Sequence, residues 1–426
     1  MVRTAVPLVA DSGVPPRRMV WRCVLGGLLV VLTVPFLRNA AVGSDIDFRV
    51  YREGGAAVLF GHPLYVLHLA PHGLPFTYPP AAALCFVVLA VLPLHVAAVF
   101  WTIGSFVALI GYVRCCIVHS AHDASVSESW SGHQNVVRSR VGFSTPLVLG
   151  LVILTVISDP GAKTFAYGQI NILLALLVMV DLSGSISRVP RGLLIGVAAA
   201  LKLTPLFLVI VLFATRRVRA GIVATVCFCV LTLLSSVVAP ADSVDYWLHG
   251  EFFDARRVGS AAYLSNQSLN GFLLRVAGGF GETTMLWLLV AAATGIMILF
   301  ICRRIAPQRP GLSDGIALLG MLLVSPVSWV HHWVFALPFL VALWHLGLHR
   351  PRLRFASLVL LGLASLLTVV LLSGVIWLAP SGPRADYDAN LPVVLLGNIQ
   401  VLLAFVTIVV VAGFLLWPRP GSEPGE

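Results

Sequence analysis

The sequence predicts an all-α polytopic membrane protein of about twelve spans, and three observations carry that prediction. Of the 426 residues, 58% are hydrophobic and 11% charged, with a mean hydropathy of +0.95. Soluble chains carry roughly a quarter charged residues, so this one could not cover a water-facing surface. Apolar runs of about 18 residues or more recur from end to end, the length that crosses a bilayer as a helix. Between them sit short arginine clusters: Arg17, Arg18 and Arg22; Arg216, Arg217 and Arg219; Arg303 and Arg304; Arg350, Arg352 and Arg354.

Those clusters follow the positive-inside pattern of cytoplasmic loops. The net charge of +10 therefore does not point to nucleic acid, which needs one contiguous basic face. Lys163 and Lys202 are the only lysines among the 28 basic residues. The seven cysteines lie mostly in or beside apolar runs and form neither a disulfide framework nor a metal spacing. The first run, Trp21 to Leu37, reads as an uncleaved helix rather than a signal peptide, given the runs behind it.

Expected spans are 20–37, 79–92, 94–117, 145–158, 168–183, 191–213, 219–239, 283–301, 313–328, 331–348, 354–379 and 392–417. They form one transmembrane domain, 20–417, between cytoplasmic tails 1–19 and 418–426. With the arginines inside, three long connections lie outside: 38–78, 240–282 and 380–391. Acidic residues gather in those loops, among them Asp45, Asp47, Glu53, Asp242, Asp245, Glu251, Asp254, Asp386 and Asp388. Several runs between 145 and 215 are short for a crossing of about 20 residues, and Pro205 interrupts one of them. Broken or re-entrant helices are expected there. Asp47 to Phe60 reads as an amphipathic surface helix that Gly61-His62-Pro63 ends. No repeat of the kind that marks many secondary transporters is seen.

Four polar constellations could carry chemistry. Asp45 and Asp47 follow the first span at the outer interface, and Asp47 shares a helix face with Tyr51. An ionised carboxylate there can take a proton from a sugar hydroxyl; a solvated helix N-cap is the plainer alternative. Ser325-Pro326-Val327-Ser328-Trp329-Val330-His331-His332-Trp333 is a polar, aromatic knot between apolar runs. It suits a phosphate-and-sugar site or an interfacial aromatic belt. Lys202 stands in an apolar segment, where a charge needs an anionic partner such as a lipid phosphate or a route to the headgroups. Gln169, Asn171, Asn266 and Gln267 can cap helices or bind sugar hydroxyls. The chain has no Walker loop and no metalloprotease or nucleophile-elbow motif. A sugar donor would therefore be lipid-linked.

Taken in order, the motifs resemble glycosyltransferase family 87. They are Asp47-x-x-x-Tyr51-Arg52-x-Gly54, Gly61-His62-Pro63-Leu64-Tyr65, Phe76-Thr77-Tyr78-Pro79-Pro80, Tyr167-Gly168-Gln169-Ile170-Asn171, Leu201-Lys202-Leu203-Thr204-Pro205, Asn266-Gln267-Ser268 and the 325–333 knot. The resemblance spans about residues 45–335. It implies a GT-C fold, a polyprenyl-phosphate-linked donor, and Asp47 rather than Asp45 as catalytic base. It further implies donor-phosphate contacts from Lys202, His331, His332 and Arg52. Substrate contacts would come from Asp45, Tyr51, Tyr78, Gln169, Asn171, Asn266, Gln267 and Trp329.

The reaction implied is one inverting displacement from β-linked polyprenyl-phosphomannose to an α-1,2 product on a phosphatidylinositol-mannoside glycolipid of a bacterial plasma membrane. Asp47 would serve as base, and no cofactor or metal is expected, since cationic side chains could carry the phosphate charge. An arabinofuranosyltransferase using its own polyprenyl phosphate is the alternative within the enzyme class. A transporter, with Lys202 and Asp181 as midplane polar residues, is the alternative outside it.

Overall fold

The computed structural model is predominantly helical and describes residues 16–66, 68–69, 73–129, 145–253, 257, 259–277, 283–348, 354–382 and 390–416. In chain order the first nine helices are α1 (Pro16–Ala41), α2 (Ile46–Phe60), α3 (Pro80–Ala90), α4 (Leu94–Ser129), α5 (Thr145–Ile157), α6 (Asp159–Tyr167), α7 (Asn171–Ser183), α8 (Leu193–Leu201) and α9 (Leu206–Ala214). The rest are α10 (Val218–Val238), α11 (Pro240–Trp247), α12 (Leu269–Val276), α13 (Thr284–Ile305), α14 (Pro310–Val324), α15 (Leu337–Leu348), α16 (Arg354–Ser373), α17 (Leu391–Gly397) and α18 (Ile399–Leu416). Short 3-10 segments occupy Glu251–Phe253, Val330–Ala336 and Val375–Leu378. Strands β1 (His68–Leu69) and β2 (Leu74–Pro75) form a small antiparallel hairpin, with His68 opposite Pro75.

All twelve expected runs are helical, but fewer than twelve can cross alone. Among the described residues seven helices are long and apolar enough, or eight if α5 and α6, bent by 73°, count as one span. Helices α3, α7 and α14 have 11, 13 and 15 residues. At 1.5 Å per residue they fall short of a hydrocarbon core about 30 Å thick. Helix α14 is covered by neighbours instead: every residue from Gly311 to Leu323 is buried.

The breaks expected between 145 and 215 are present. Ser158 caps α6 by accepting a hydrogen bond from the Gly161 amide, which turns the chain sharply after α5. Residues 202–205 separate α8 from α9, because Lys202 is extended (φ −150, ψ 126) and Pro205 starts the next helix. Helix α6 was not expected; its sequence, Asp159-Pro160-Gly161-Ala162-Lys163-Thr164-Phe165-Ala166-Tyr167, is too polar to register as a span.

Helix α2 ends where expected, at Gly61 in the left-handed conformation (φ 71). It does not rest freely on a surface. Its buried face, Phe48, Val50, Tyr51, Gly54, Gly55 and Ala57, packs on α3. A Cβ at Gly55 would stand 2.3 Å from the Phe86 carbonyl oxygen, so glycine is what permits that approach.

The bundle has two polar ends. At one, Asp314 of α14 accepts from Arg217 (2.9 and 2.5 Å) and pairs with His119 Nε2 at 2.9 Å. Asp123 caps α14 from a neighbouring helix, accepting from the amides of Gly311 and Leu312. Asp181 does the same for α8 through Gly192 and Ile195. Asp181 is therefore committed to backbone amides, not to a transport path. The Arg216–Arg219 and Arg303–Arg304 clusters belong to this end; Arg303 donates to the Ala214 carbonyl.

At the other end the first two of the long connections meet each other, the turn before α15 and the end of α17. The Leu64 amide donates to Asp242, Asn266 bridges Trp329, and Gln267 donates to the Gly397 carbonyl. Asp386 and Asp388, expected in the third loop, lie outside the described residues.

The buried Arg217–Asp314–His119 cluster should act as a clamp between helices. Asp314→Ala strands a guanidinium and should cost about 3–5 kcal/mol, read as a lower Tm in detergent. An unchanged Tm would show that the cluster does not hold the bundle.

Candidate active site

The site is built where α2, α6 and α7 converge. Gly168 ends α6 in the left-handed conformation (φ 68). A Cβ there would lie 2.7 Å from the Phe48 Cβ and 3.1 Å from the Asp45 Cβ. Only glycine both turns the chain and lets it touch α2. The next residue, Gln169, consequently reaches Asp47, and its Nε2 donates to Asp47 Oδ2 at 2.6 Å. Gln169 Oε1 accepts from the Tyr51 hydroxyl at 2.9 Å. The Tyr51 oxygen in turn accepts from the Ile170 amide (3.3 Å) and stands 3.1 Å from the Tyr78 hydroxyl. Asp47 is thus aimed by a chain of buried polar groups.

The second pole is Lys202. The break between α8 and α9 frees its side chain from helix packing, and Nζ donates to Asn171 Oδ1 at 3.0 Å while lying 3.0 Å from His332 Nε2. Asn171 Nδ2 and Thr164 Oγ1 both donate to the His331 carbonyl, at 3.2 and 3.0 Å. Helices α6 and α7 therefore grip the histidine pair by its backbone. The Tyr78 ring centroid is 5.6 Å from Lys202 Nζ, within cation–π range.

Asp47, Tyr78, Gln169, Lys202, Trp329, His331 and His332 line one cavity of ≈ 510 Å³. Its walls run on into apolar side chains of α9, α13 and α14, including Phe207, Ile210, Trp287, Met321 and Val324. Burial pushes the Asp47 carboxyl up to about 6, against the Gln169 hydrogen bond and the Lys202 charge. It remains mostly ionised at neutral pH yet close to it, as suits a proton acceptor. One wall offers a carboxylate, another a cation with an imidazole, and an apolar slot opens beside them.

The remaining expected residues are placed differently. Tyr51 and Asn171 are buried supports that hold Gln169 and Lys202. Asn266 and Gln267 are fully buried, and their side chains serve backbone groups of 261, 264, 326, 328 and 397; neither lines the cavity. Asp45 is buried behind it, and neither carboxylate oxygen has a hydrogen-bond partner among the described residues. Burial pushes its carboxyl up to about 7, with Arg49 opposing. Arg52 turns the other way. Its guanidinium donates to the carbonyls of Ala90 and Leu92 and pairs with Glu53 at 3.8 Å, closing the end of α3 rather than facing the cavity.

Two charged cavity residues were not among the expected site residues, Glu251 and Arg257. They pair with each other, and Arg257 also donates to the Tyr65 carbonyl at 2.6 Å. A signal existed: Arg256-Arg257 stands in a loop assigned to the outside, where the positive-inside rule predicts few cations.

Comparison with known proteins identifies the family. The sequence profile of glycosyltransferase family 87 matches residues 76–326. The chain is 37% identical over 359 residues to a Mycobacterium tuberculosis protein named polyprenol-phosphate-mannose-dependent alpha-(1-2)-phosphatidylinositol mannoside mannosyltransferase, covering 81% of each. It is 34% identical over 347 residues to the protein of that name from Mycolicibacterium smegmatis, covering 78% of this chain and 77% of that one. A solved structure, ArnT from Cupriavidus metallidurans bound to undecaprenyl phosphate, covers 91% of this chain and 77% of its own at 17% identity and a TM-score of 0.38, too distant to carry geometry from one site to the other. On the family profile and the extent of these identities, the chain belongs to glycosyltransferase family 87 and is a multi-pass membrane glycosyltransferase.

Proposed function

We propose that the protein moves mannose from polyprenyl-phosphomannose to a phosphatidylinositol-mannoside glycolipid in one inverting step, forming an α-1,2 linkage on the outer face of the membrane. The observation that carries the reading is the pairing of poles in one cavity: Asp47 fixed by Gln169, and Lys202 fixed by Asn171 beside His332. The names of the mycobacterial relatives supply the donor and acceptor classes.

The step needs few groups. An acceptor hydroxyl gives its proton to Asp47 as its oxygen attacks the anomeric carbon. The bond from that carbon to the phosphate oxygen breaks on the opposite face, and β becomes α. The leaving polyprenyl phosphate takes the electron pair. Lys202, His332 and Arg257 are the groups proposed to carry its charge. A phosphate leaves without being protonated, so no general acid is invoked, and sugar charge would build as in glycoside hydrolysis. The apolar slot between α9, α13 and α14 suits a prenyl chain, since it adjoins Lys202 at the depth of the helices. With three side chains assigned to the phosphate, transfer is proposed not to require a divalent metal.

Assay of purified protein with labelled polyprenyl-phosphomannose and a phosphatidylinositol mannoside tests the reading. Transfer from polyprenyl-phosphoarabinose alone would overturn the donor, and loss of transfer on chelation would overturn the metal claim. Asp47→Asn should lower turnover about a hundredfold to ten-thousandfold. Because burial raises the Asp47 pKa, its ionised form is disfavoured by the fold, so the asparagine variant should keep or raise the wild-type Tm. In the wild type kcat/KM should fall as pH drops through about 6, where Asp47 takes up its proton. A variant with more than half the activity, or no acid limb, would remove Asp47 as base.

Lys202→Met should raise KM for the donor and lower turnover, and Lys202→Arg should recover part of both. Unchanged constants in the methionine variant would take Lys202 out of the phosphate site. Sidedness is open to cysteine labelling, with the exposed native Cys23, Cys85 and Cys229 replaced by serine. A membrane-impermeant thiol reagent outside the cell should label His62→Cys, beyond α2, and not Ser187→Cys, after α7. The reverse pattern would invert the topology.

A further inference from the structure

A row of rings runs on from the rim of the cavity, beyond anything the displacement itself uses. Trp329 lines the cavity. The Tyr263 ring centroid is 6.2 Å from that of Trp329, and Trp377 continues the row at 6.3 Å from Tyr263. The three come from separate parts of the chain, the turn before α15, the loop before α12 and the 3-10 segment after α16, so no local rule aligns them.

Each member is held. The Trp329 backbone pairs with Asn266. The Tyr263 carbonyl accepts from Arg275 Nη1 at 3.0 Å, and the same guanidinium is bonded to Asn398 Oδ1. Trp377 donates its indole N–H to Asp159 Oδ2 at 2.7 Å. Lys163, ion-paired with Asp159, places Nζ 4.3 Å from the Trp377 ring centroid. The chain's two lysines thus stand at the two ends of one path, Lys202 in the cavity and Lys163 under the last ring.

The surroundings are rich in hydroxyl-binding groups. Tyr167 and His331 meet edge to face, with ring centroids 5.7 Å apart. Among the described residues the hydroxyls of Tyr167 and Tyr263 make no hydrogen bond, and Tyr263 is 39% exposed. An interfacial aromatic belt places rings singly against lipid with polar tips toward the headgroups. Here the tip of Trp377 is committed to a carboxylate whose side chain is only 14% exposed, and the rings form a continuous course that starts at the catalytic cavity.

We propose that the Trp329–Tyr263–Trp377 row, with Tyr167, Asp159 and Lys163 beside it, binds mannose residues already present on the acceptor headgroup, so that the enzyme selects acceptors by headgroup length. This rests on the acceptor class proposed above. Sugar rings offer C–H faces to flat aromatic surfaces, and their hydroxyls find phenol, carboxylate and ammonium partners.

The test compares kcat/KM for a phosphatidylinositol tetramannoside with that for a monomannoside, at saturating polyprenyl-phosphomannose. Wild type should prefer the longer headgroup. Tyr263→Leu and Trp377→Leu should each lower that preference about tenfold, equivalent to about 1.4 kcal/mol, while KM for the donor stays at the wild-type value. Trp377→Phe, which keeps a ring, should restore part of it. A preference unchanged in both leucine variants, with transfer intact, overturns the inference and leaves the proposed reaction standing. Absence of any mannosyl transfer by wild type overturns the reaction instead. Calorimetric titration with free α-mannotetraose then decides the row on its own: binding to wild type that Trp377→Leu weakens supports it, and no binding overturns it.

Discussion

Lys202 stands among apolar helices with Asn171 and His332 as its hydrogen-bond partners, and much of the site end follows from keeping that ammonium supplied with polar contacts. A cation at such a position costs several kcal/mol unless something solvates it. Asn171 must therefore open α7 with its side chain turned inward, and the histidine pair must approach from the turn before α15. The break at Pro205 supplies the freedom to bring the three together. The same atoms that satisfy the charge leave it poised toward the cavity, where an anion could take over from water.

Asp47 faces the converse problem. Its carboxylate is pulled out of water by α2, and the Gln169 amide offsets only part of that cost, which is why its pKa rises. Such an unfavourable placement is typical of sites whose groups are poised for proton transfer. The supports behind it are rigid: Tyr51, Tyr78 and the Ile170 amide form one hydrogen-bonded cluster. Gly168 is the hinge of that arrangement, because any side chain there would push α6 off α2.

Buried carboxylates at the opposite end do a different job. Asp123 and Asp181 satisfy amides at the starts of α14 and α8, groups that a helix cannot satisfy from within itself. Asp314 ties Arg217 and His119 across three helices. The chain thus spends its few acidic residues on structure at one end and, at the other, on lining the cavity at Asp47 and on holding connecting segments at Asp242 and Asp159.

The sequence by itself determined the helical membrane architecture, because hydrophobic run length and arginine placement are local properties that a bilayer reads directly. It also singled out Asp47, Gln169, Lys202, Trp329 and the histidine pair, since polar residues in apolar company cannot be there by default. Side-chain direction was not legible. Arg52 lies five residues from Asp47, yet the turn of α2 sends it to the end of α3; Asn266 and Gln267 look like sugar ligands and are consumed by neighbouring backbone. Helix α6 was hidden by its polar composition, and Arg257 by the loop around it. Only the tertiary structure decided these, because which polar group faces the cavity depends on contacts between segments a hundred or more residues apart, such as Gln169 with Asp47 and Lys202 with His332.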